Sequence, residues 1–369
     1  MVSTIEKNRR KIMRHAIELA ARGKNTVSPN PAVGCVIVKN EQIIAESWHQ
    51  AAGQAHAEVM ALAQAGTQAR GATLYLTLEP CCHYGRTPPC INHVMNSGIK
   101  KIYIASIDPN PKVNGKSIAR LEQSGIEVEV GLCDSDNKHL NRDYFYYHRH
   151  QRPWVIAKWA MSLDGSMQVN HHDDRQISSL ESQIKVHQLR NRVDALVIGA
   201  GTAITDNPRL SVRLADVHPI RQPQAIILSR HGKLPLDLTL LQPDSPVKTT
   251  VVTTTDVDKT WRKIVEKNGV EVLTLTTTAA SDHPILKQQI DLNALLQILA
   301  KRGMTSILVE GGKRTHHCFF AANLINECQC YLAPVIIGPW QQKKKLARID
   351  CELIGKDWHY TTLLSKEYC

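Results

Sequence analysis

The sequence predicts two α/β domains joined in one chain, and three observations carry that prediction. Apolar segments of strand length alternate with helical patterns through both halves. The text changes near residue 150, where "YFYYHRHQRP" is aromatic, basic and closed by proline. At 369 residues the chain also exceeds the usual reach of one hydrophobic core. The domains are placed at 1–149 and 150–369, with the linker at the change.

Taken in order, residues 5 to 23 space Ile5, Ile12, Ala16, Leu19 and Ala20 at helical intervals, and Gly23 stops the pattern. "AVGCVIV" and "QIIAESW" read as paired strands, followed by an Ala-rich helix from about 57 to 65. "ATLYLTL", "KKIYIAS" and "IEVEVG" are strands; "CINHVMNSG" and "KSIARLEQSG" are the helices between them. This rhythm favours a largely parallel sheet with flanking helices. The second half repeats it, with strands at "WVIAKWAM", "DALVIGA", "QAIILS", "TTVVTT", "GVEVLTL", "TSILVEG" and "CQCYLAPVII". Helices fill 179 to 191, 258 to 268, 291 to 301 and 313 to 322.

Composition narrows the class of protein. Ten cysteines, unevenly spaced over this length, do not make a disulfide scaffold, so a cluster of them points to metal ligation. No apolar run has the length of a membrane span, and "MVSTIEKNRRKIMRHAIELAARG" mixes charges where a secretion signal needs an unbroken apolar stretch. A cytoplasmic protein without a membrane partner is expected. The net charge of +11 raises a nucleic-acid partner, but the Lys and Arg are scattered and the runs "KNRRK" and "QQKKKLAR" lack interleaved aromatics. A solvated surface or attraction to small phosphorylated metabolites accounts for that charge at least as well.

The chemistry concentrates in "GQAHAEVMAL" and "TLEPCCHYGRTPPC". His56 and Glu58 stand two apart at a helix start. A strand ends at Glu79-Pro80 and delivers Cys81, while Cys90 opens the next helix. Zinc deaminases carry H-x-E followed by P-C-x-x-C, with one His and two Cys on the metal and the Glu free to move protons. Here the second cysteine is displaced by an inserted loop, so Cys81, Cys82, His83 and Cys90 compete for two places. His56, Cys81 and Cys90 are the expected zinc ligands and Glu58 the catalytic carboxylate. The plainer alternative is a closed structural zinc with Cys82 or His83 as fourth ligand, a site with no use for Glu58.

In the second half, "VDALVIGAGT" and "ILVEGGKRT" each end a strand in small residues that let a ligand approach the backbone. Each glycine pair taken alone is more often a tight turn. Arg190 and Arg213 are candidates to grip a substrate phosphate as bidentate donors. Arg230, just after "QAIILS", is either a contact for the 2′-phosphate of a dinucleotide or an ordinary solvated arginine.

With these residues in hand, the chain resembles the bifunctional riboflavin-biosynthesis deaminase/reductase family over nearly its full length. "SPNPAVGCVIV", "WHQAAGQAHAE", "TLEPCCHYGRTPPC" and "DPNPKVNGKSIARLEQSGIEVEVG" match its N-terminal motifs in order; "AKWAMSLDG", "GAGTAITDNPRLSVR" and "ILVEGG" match its C-terminal ones. The resemblance implies a cytidine-deaminase-like α/β/α sandwich followed by a dihydrofolate-reductase-like α/β domain. The first would deaminate 2,5-diamino-6-ribosylamino-4(3H)-pyrimidinone 5′-phosphate with zinc; the second would reduce the ribosyl group to ribityl with NADPH. It further implies that Asn30, His49 and Arg86 touch the deaminase substrate, and that Asp174, Arg190, Leu210, Arg213 and Glu310 touch the reductase substrate. Ala160, Gln176, Thr202, Asp206, Ser229, Gly312, Lys313, Arg314 and Thr315 would line the cofactor, and a homodimer or homotetramer is implied.

Asp174 and Gln176 depart from the Ser and Trp usual in the family, and Ser47 from a common Gly. A second reading therefore keeps the deaminase and gives the other domain a degenerate or re-purposed role. A third, a basic nucleic-acid-binding protein or RNA deaminase, is opposed by the long loop and the nucleotide-type second domain.

Overall fold

The computed structural model describes residues 4–83, 89–167, 177–214, 221–254, 257–277, 289–338, 344–345, 349–354 and 357–362. Arg86, Asp174 and Gln176, three of the expected ligand contacts, lie outside them. The chain forms two compact units, the first running to Trp154 and also taking in Leu295–Ser306.

In the first unit, α1 (Thr4–Arg22) precedes a hairpin of β1 (Gly34–Lys39) and β2 (Gln42–Trp48). The hairpin turns on Asn40 and Glu41, both at positive φ, as a two-residue turn matched to strand twist requires. There follow α2 (Ala57–Ala65), β3 (Thr73–Leu78), α3 (Cys90–Asn96), β4 (Lys101–Ser106), α4 (Lys116–Gln123), β5 (Glu127–Val130), α5 (Asp134–Leu140) and α6 (Arg142–His150). The strand order is β2-β1-β3-β4-β5.

The sheet is mixed, not largely parallel as the sequence suggested. β1 runs antiparallel to both β2 and β3, and only the β3, β4 and β5 pairings are parallel. The rhythm misled because β1 and β2 are joined without a crossover helix.

Alternation along the strands builds the sandwich. Cys35, Ile37, Leu74, Leu76, Ile102 and Ile104 pack against Ala61 of α2, Ile91 of α3 and Leu121 of α4. The intervening Val36, Val38, Tyr75 and Tyr103 pack on the other side against Met13, Ala16 and Leu19 of α1. A Cβ on Gly34 would stand 1.9 Å from the carbonyl oxygen of Ala16, so α1 crosses β1 where only glycine fits.

The change near residue 150 lies close to the division of the units at Trp154, but most of it is not a linker. "RDYFYYHRH" is α6, whose Tyr144 and Phe145 are buried against Leu78 while Arg149 and His150 face solvent. Aromatic and basic composition marked a two-faced helix, not a tether.

The remaining elements are β6 (Trp154–Ser162), α7 (Leu180–Arg190), β7 (Ala195–Gly199), α8 (Ala200–Asp206), β8 (Gln224–Leu228), β9 (Thr249–Thr253), α9 (Lys259–Lys267), β10 (Glu271–Thr274), α10 (Leu292–Lys301), β11 (Ser306–Val309), α11 (Lys313–Ala321) and β12 (Glu327–Ala333); all but most of α10 belong chiefly to the second unit. Its seven strands lie in the order β10-β9-β8-β7-β11-β6-β12, with parallel registers for β10 on β9, β9 on β8, β8 on β7, β7 on β11 and β6 on β12. Ala195–Ile198, Ala225–Ile227 and Ile307–Val309 are wholly buried, as unbroken apolar runs in a sheet covered on both faces should be. α8 was not anticipated, because "GAGTAITD" reads as a glycine turn. Strand order reverses between β7 and β11, the position at which open α/β sheets bind ligands. Among the described residues no helix is long and apolar enough to cross a membrane.

Candidate active site

Three elements bring the metal-type ligands together. β2 ends at Trp48, and the following loop returns the chain to His56, the N-cap of α2. Glu58 sits in the first turn of that helix and is buried. Ser47 Oγ donates to the carbonyl of Ala57 at 2.5 Å, tying β2 to the same turn, so the departure from glycine has a structural use. β3 leads to Cys81, and Pro89 caps α3, which opens on Cys90.

His56 Nδ1 lies 2.8 Å from Cys90 Sγ and 3.7 Å from Cys81 Sγ, and the two sulfurs are 3.1 Å apart. The backbone N–H of Cys90 donates to Cys81 Sγ at 3.2 Å. The shared hydrogen with Cys90, aided by His56, draws the Cys81 thiol down to about 4, while the same sharing and burial push Cys90 up. Bonds of about 2.0–2.3 Å to one tetrahedral zinc hold such donors roughly 3.5 Å apart, so this donor set fits that ion. Cys82 turns away toward the carbonyl of Lys112 at 3.6 Å, and neither it nor His83 joins the cluster. Among the described residues the group has three donors, not four.

Glu58 faces this cluster. Its Oε2 is buried with no hydrogen-bond partner, and burial lifts the carboxyl above its ordinary range despite the nearby His56. His49 packs edge-on to His56 with ring centres 5.0 Å apart. Burial holds His49 neutral, with Nδ1 donating to the carbonyl of Ala55 at 3.2 Å and Nε2 accepting from Asn30 Nδ2 at 3.1 Å. The structure thus brings Asn30 and His49 beside the expected ligands.

Sequence reasoning missed Glu79. Its carboxylate accepts from the backbone N–H groups of Asp108, Gly115 and Ser117 at 3.2, 2.9 and 3.0 Å, fixing the loop after β4 beside Cys81. Its only signal was a carboxylate next to Pro80 at a strand end.

The second unit holds a cleft of about 1290 Å³. Every expected cofactor contact within the described residues lines it: Ala160, Thr202, Asp206, Ser229, Gly312, Lys313, Arg314 and Thr315. Gly312 N donates to Thr202 Oγ1 at 3.0 Å, joining the starts of α11 and α8. A Cβ at Gly311 would lie 2.5 Å from Thr315 Cβ, and one at Gly199 would lie 2.4 Å from Thr315 Oγ1. The ends of β7 and β11 therefore form a cradle that side chains would fill, which suits a dinucleotide backbone.

Of the expected substrate contacts, Glu310 lines the cleft and Arg190 grips it, while Leu210 and Arg213 are not in the lining. Arg190 was expected to offer its fork to a phosphate; the fork instead meets the Glu310 carboxylate. Leu210 is buried at φ +50°, an uncommon conformation for a leucine. Arg213 Nη1 donates to Ser211 Oγ at 3.1 Å, and its backbone N–H donates to His187 Nδ1 at 3.2 Å.

The second residue missed is Lys158. It lines the cleft, burial lowers its ammonium pKa against the pull of Glu310, and its Nζ stands 5.5 Å from the Tyr331 ring centre. "AKWAM" showed an apolar strand, and nothing in it marked the lysine as inward-facing.

Comparison with known proteins covers both halves of the chain. Residues 6–106 match the cytidine and deoxycytidylate deaminase zinc-binding region, and residues 153–358 match the RibD C-terminal domain. The chain is 39% identical to riboflavin biosynthesis protein RibD of Aquifex aeolicus (strain VF5), covering 92% of this chain and 89% of that one. It is 36% identical to its counterpart in Escherichia coli (strain K12), over 88% of each. The structure of Acinetobacter baumannii RibD, form 2, superposes with a TM-score of 0.80 at 36% identity, covering 96% and 94% of the two chains. A diaminohydroxyphosphoribosylaminopyrimidine deaminase/5-amino-6-(5-phosphoribosylamino)uracil reductase from Thermotoga maritima gives 0.75 at 30% identity over 97% and 98%. With this similarity sustained across both domains, the chain belongs to the riboflavin biosynthesis protein RibD family.

Proposed function

We propose that the chain performs two reactions of riboflavin biosynthesis: deamination of 2,5-diamino-6-ribosylamino-4(3H)-pyrimidinone 5′-phosphate, then NADPH-dependent reduction of the ribosyl group. The observation that carries the reading is the three-donor cluster of His56, Cys81 and Cys90 facing the unpartnered, buried Glu58.

His56, Cys81 and Cys90 would hold zinc, which would supply the Lewis acidity that brings the pKa of water near 7. Glu58 Oε2 takes a proton from the attacking water and returns it to the departing amine. The C–O bond forms, the C–N bond breaks and ammonia leaves. Asn30 and His49 orient the pyrimidine through their donor and acceptor edges, and Arg86 is assigned to the phosphate. Burial suits Glu58 to this exchange, since a raised carboxyl holds the proton it takes more firmly until the departing amine receives it.

In the second unit NADPH would supply the hydride when bound, and Gly311 and Gly312 would hold its pyrophosphate. The C1′–O4′ bond of the ribosyl group opens as C1′ gains hydride, and O4′ needs a proton. Lys158 Nζ, with its lowered pKa, is placed to give it. Glu310, held by Arg190, orients the sugar hydroxyls; Leu210, Arg213 and Asp174 are assigned to the substrate and Gln176 to the cofactor. The protein works in the cytoplasm as a homodimer or homotetramer, for which β12, at the end of the seven-stranded order, offers an edge.

The test incubates purified protein with the diaminopyrimidine nucleotide, with and without NADPH, and follows ammonia and NADPH absorbance separately. Ammonia release without NADPH, and NADPH oxidation only after it, is the expected result. Ammonia release with no NADPH oxidation would select the second reading, in which Asp174 and Gln176 have altered the pocket.

A further inference from the structure

Resting on the deaminase reading, we infer that Asn141 is a positioning residue for the first reaction: its side-chain amide holds the segment that presents Asn30 to the pyrimidine. Asn141 Oδ1 accepts from Ala32 N at 2.9 Å, and its Nδ2 donates to Ala32 O at 2.9 Å. The side chain thus pairs with both polar groups of one residue, as a residue of a neighbouring antiparallel strand would. Asn141 and Ala32 are both wholly buried. Ala32 stands two residues after Asn30, whose Nδ2 meets His49 Nε2 at 3.1 Å beside His56.

The segment cannot brace itself. Pro29 and Pro31 flank Asn30 and have no N–H to place in a ladder, so Ala32 is where the chain can be gripped before β1 begins at Gly34. Gly34 N in turn donates to Thr77 Oγ1 at 3.1 Å, a second side chain standing in for backbone at the strand entry. A buried peptide at Ala32 needs both a donor and an acceptor, and a primary amide carries the two in one plane.

Asn141 is turned to that task and away from its ordinary one. It is the N-cap of α6, where an asparagine usually accepts from the helix's own first N–H groups, and here its side chain makes no such bond. Behind it the support is polar and buried: Asn141 Nδ2 also donates to Asn137 Oδ1 at 3.1 Å, Asn137 Nδ2 to Ser106 Oγ at 2.9 Å, and Ser106 Oγ to Asp134 Oδ1 at 2.9 Å. Lys24 Nζ, 2.5 Å from Asp143 Oδ1, and Tyr144 OH, 3.0 Å from Asp108 Oδ1, pin the first turn of α6. A brace anchored on α6 and at the end of β4 fixes where Asn30 stands, and at a reacting site a misplacement of about 1 Å can cost up to about 10²-fold.

The test follows ammonia release from the diaminopyrimidine nucleotide by the full-length, zinc-loaded protein. Asn141→Asp keeps an acceptor for Ala32 N and loses the donor for Ala32 O. Its zinc content should match the wild type, and KM should rise about tenfold while kcat falls less. Asn30→Ala should raise KM by a similar factor, and adding Asn141→Asp to it should change KM less than about twofold, because the brace then holds nothing that meets substrate. Single effects that multiply in the double variant, or a wild-type KM in Asn141→Asp, would overturn the assignment while leaving the deaminase reading intact. A wild type that releases no ammonia would remove that reading and the assignment with it. Should Asn141→Asp fail to fold, hydrogen exchange of the wild type decides: the Ala32 amide should exchange as slowly as those of β1, and more slowly still with the deaminated nucleotide bound. Exchange at the rate of an exposed loop, or no response to the nucleotide, would overturn the assignment.

Discussion

Arg190 and Glu310 form a two-pronged ion pair, Nε to Oε1 and Nη2 to Oε2 at 2.7 Å each, with side chains only 14% and 9% exposed. Burial alone would raise the Glu310 carboxyl, but Arg190, with Lys158 assisting, holds it below its ordinary value. Removing one partner strands a buried charge. Arg190→Met should cost about 3–5 kcal/mol in urea-unfolding stability. Because the folded pKa is depressed, the pair's contribution is complete above the unfolded value, near 4.5, and fades as pH falls through the lower folded one. An unchanged acid limb in Arg190→Met would show that the pair does not govern it.

Glu58→Gln keeps the side chain's shape and removes its proton exchange. Zinc content by elemental analysis should match the wild type, and ammonia release should fall about 10²–10⁴-fold. Undiminished ammonia release would dismiss the carboxylate's role.

Stripping zinc with a chelator, or replacing Cys90 with Ser, should abolish deamination. NADPH oxidation with an already deaminated substrate should survive, because the second cleft shares no ligand with the first. Loss of both activities together would contradict that independence.

Lys158→Met preserves the aliphatic stem and removes the proton donor. NADPH affinity by fluorescence titration should hold, while NADPH oxidation should fall about 10²–10⁴-fold. Full turnover in this variant would return the proton-donor role to solvent.

His148 and His187 are both held down to about 4, by burial in each case and for His187 by Arg190 and Arg213 as well. The unfolded chain takes up protons near 6.5 that the folded chain refuses, so stability should decline as pH falls from about 7 toward 4. Urea midpoints across that range measure the slope. His148→Phe, which keeps a ring against Tyr144 at its present 4.5 Å centre spacing, should flatten it.

The layered core of the first unit was legible because Leu74-Tyr75-Leu76 and Ile102-Tyr103-Ile104 alternate, and alternation assigns faces whichever way strands run. Strand direction was not legible: nothing local to Cys35–Val38 says that β1 lies between β2 and β3 in antiparallel register. The metal cluster was readable from H-A-E and P-C, since ligand type and spacing are chemistry written in order. Lys158 and Glu79 were not, because their roles arise from neighbours distant in sequence, Glu310 and Arg190 for one and Asp108, Gly115 and Ser117 for the other. α6 was misjudged because its buried face is short and its exposed end dominates the composition.

Cys81 ends the approach from β3 and Cys90 begins α3, so the two sulfurs belong to opposite banks of the segment that carries Arg86. An ion gripping both would be a clasp as well as an acid, fastening the start of α3 to the end of the chain that leaves β3. Occupancy and stability are then thermodynamically linked: an ion that binds the folded chain and not the unfolded one adds its binding free energy to the fold, and metal starvation withdraws it.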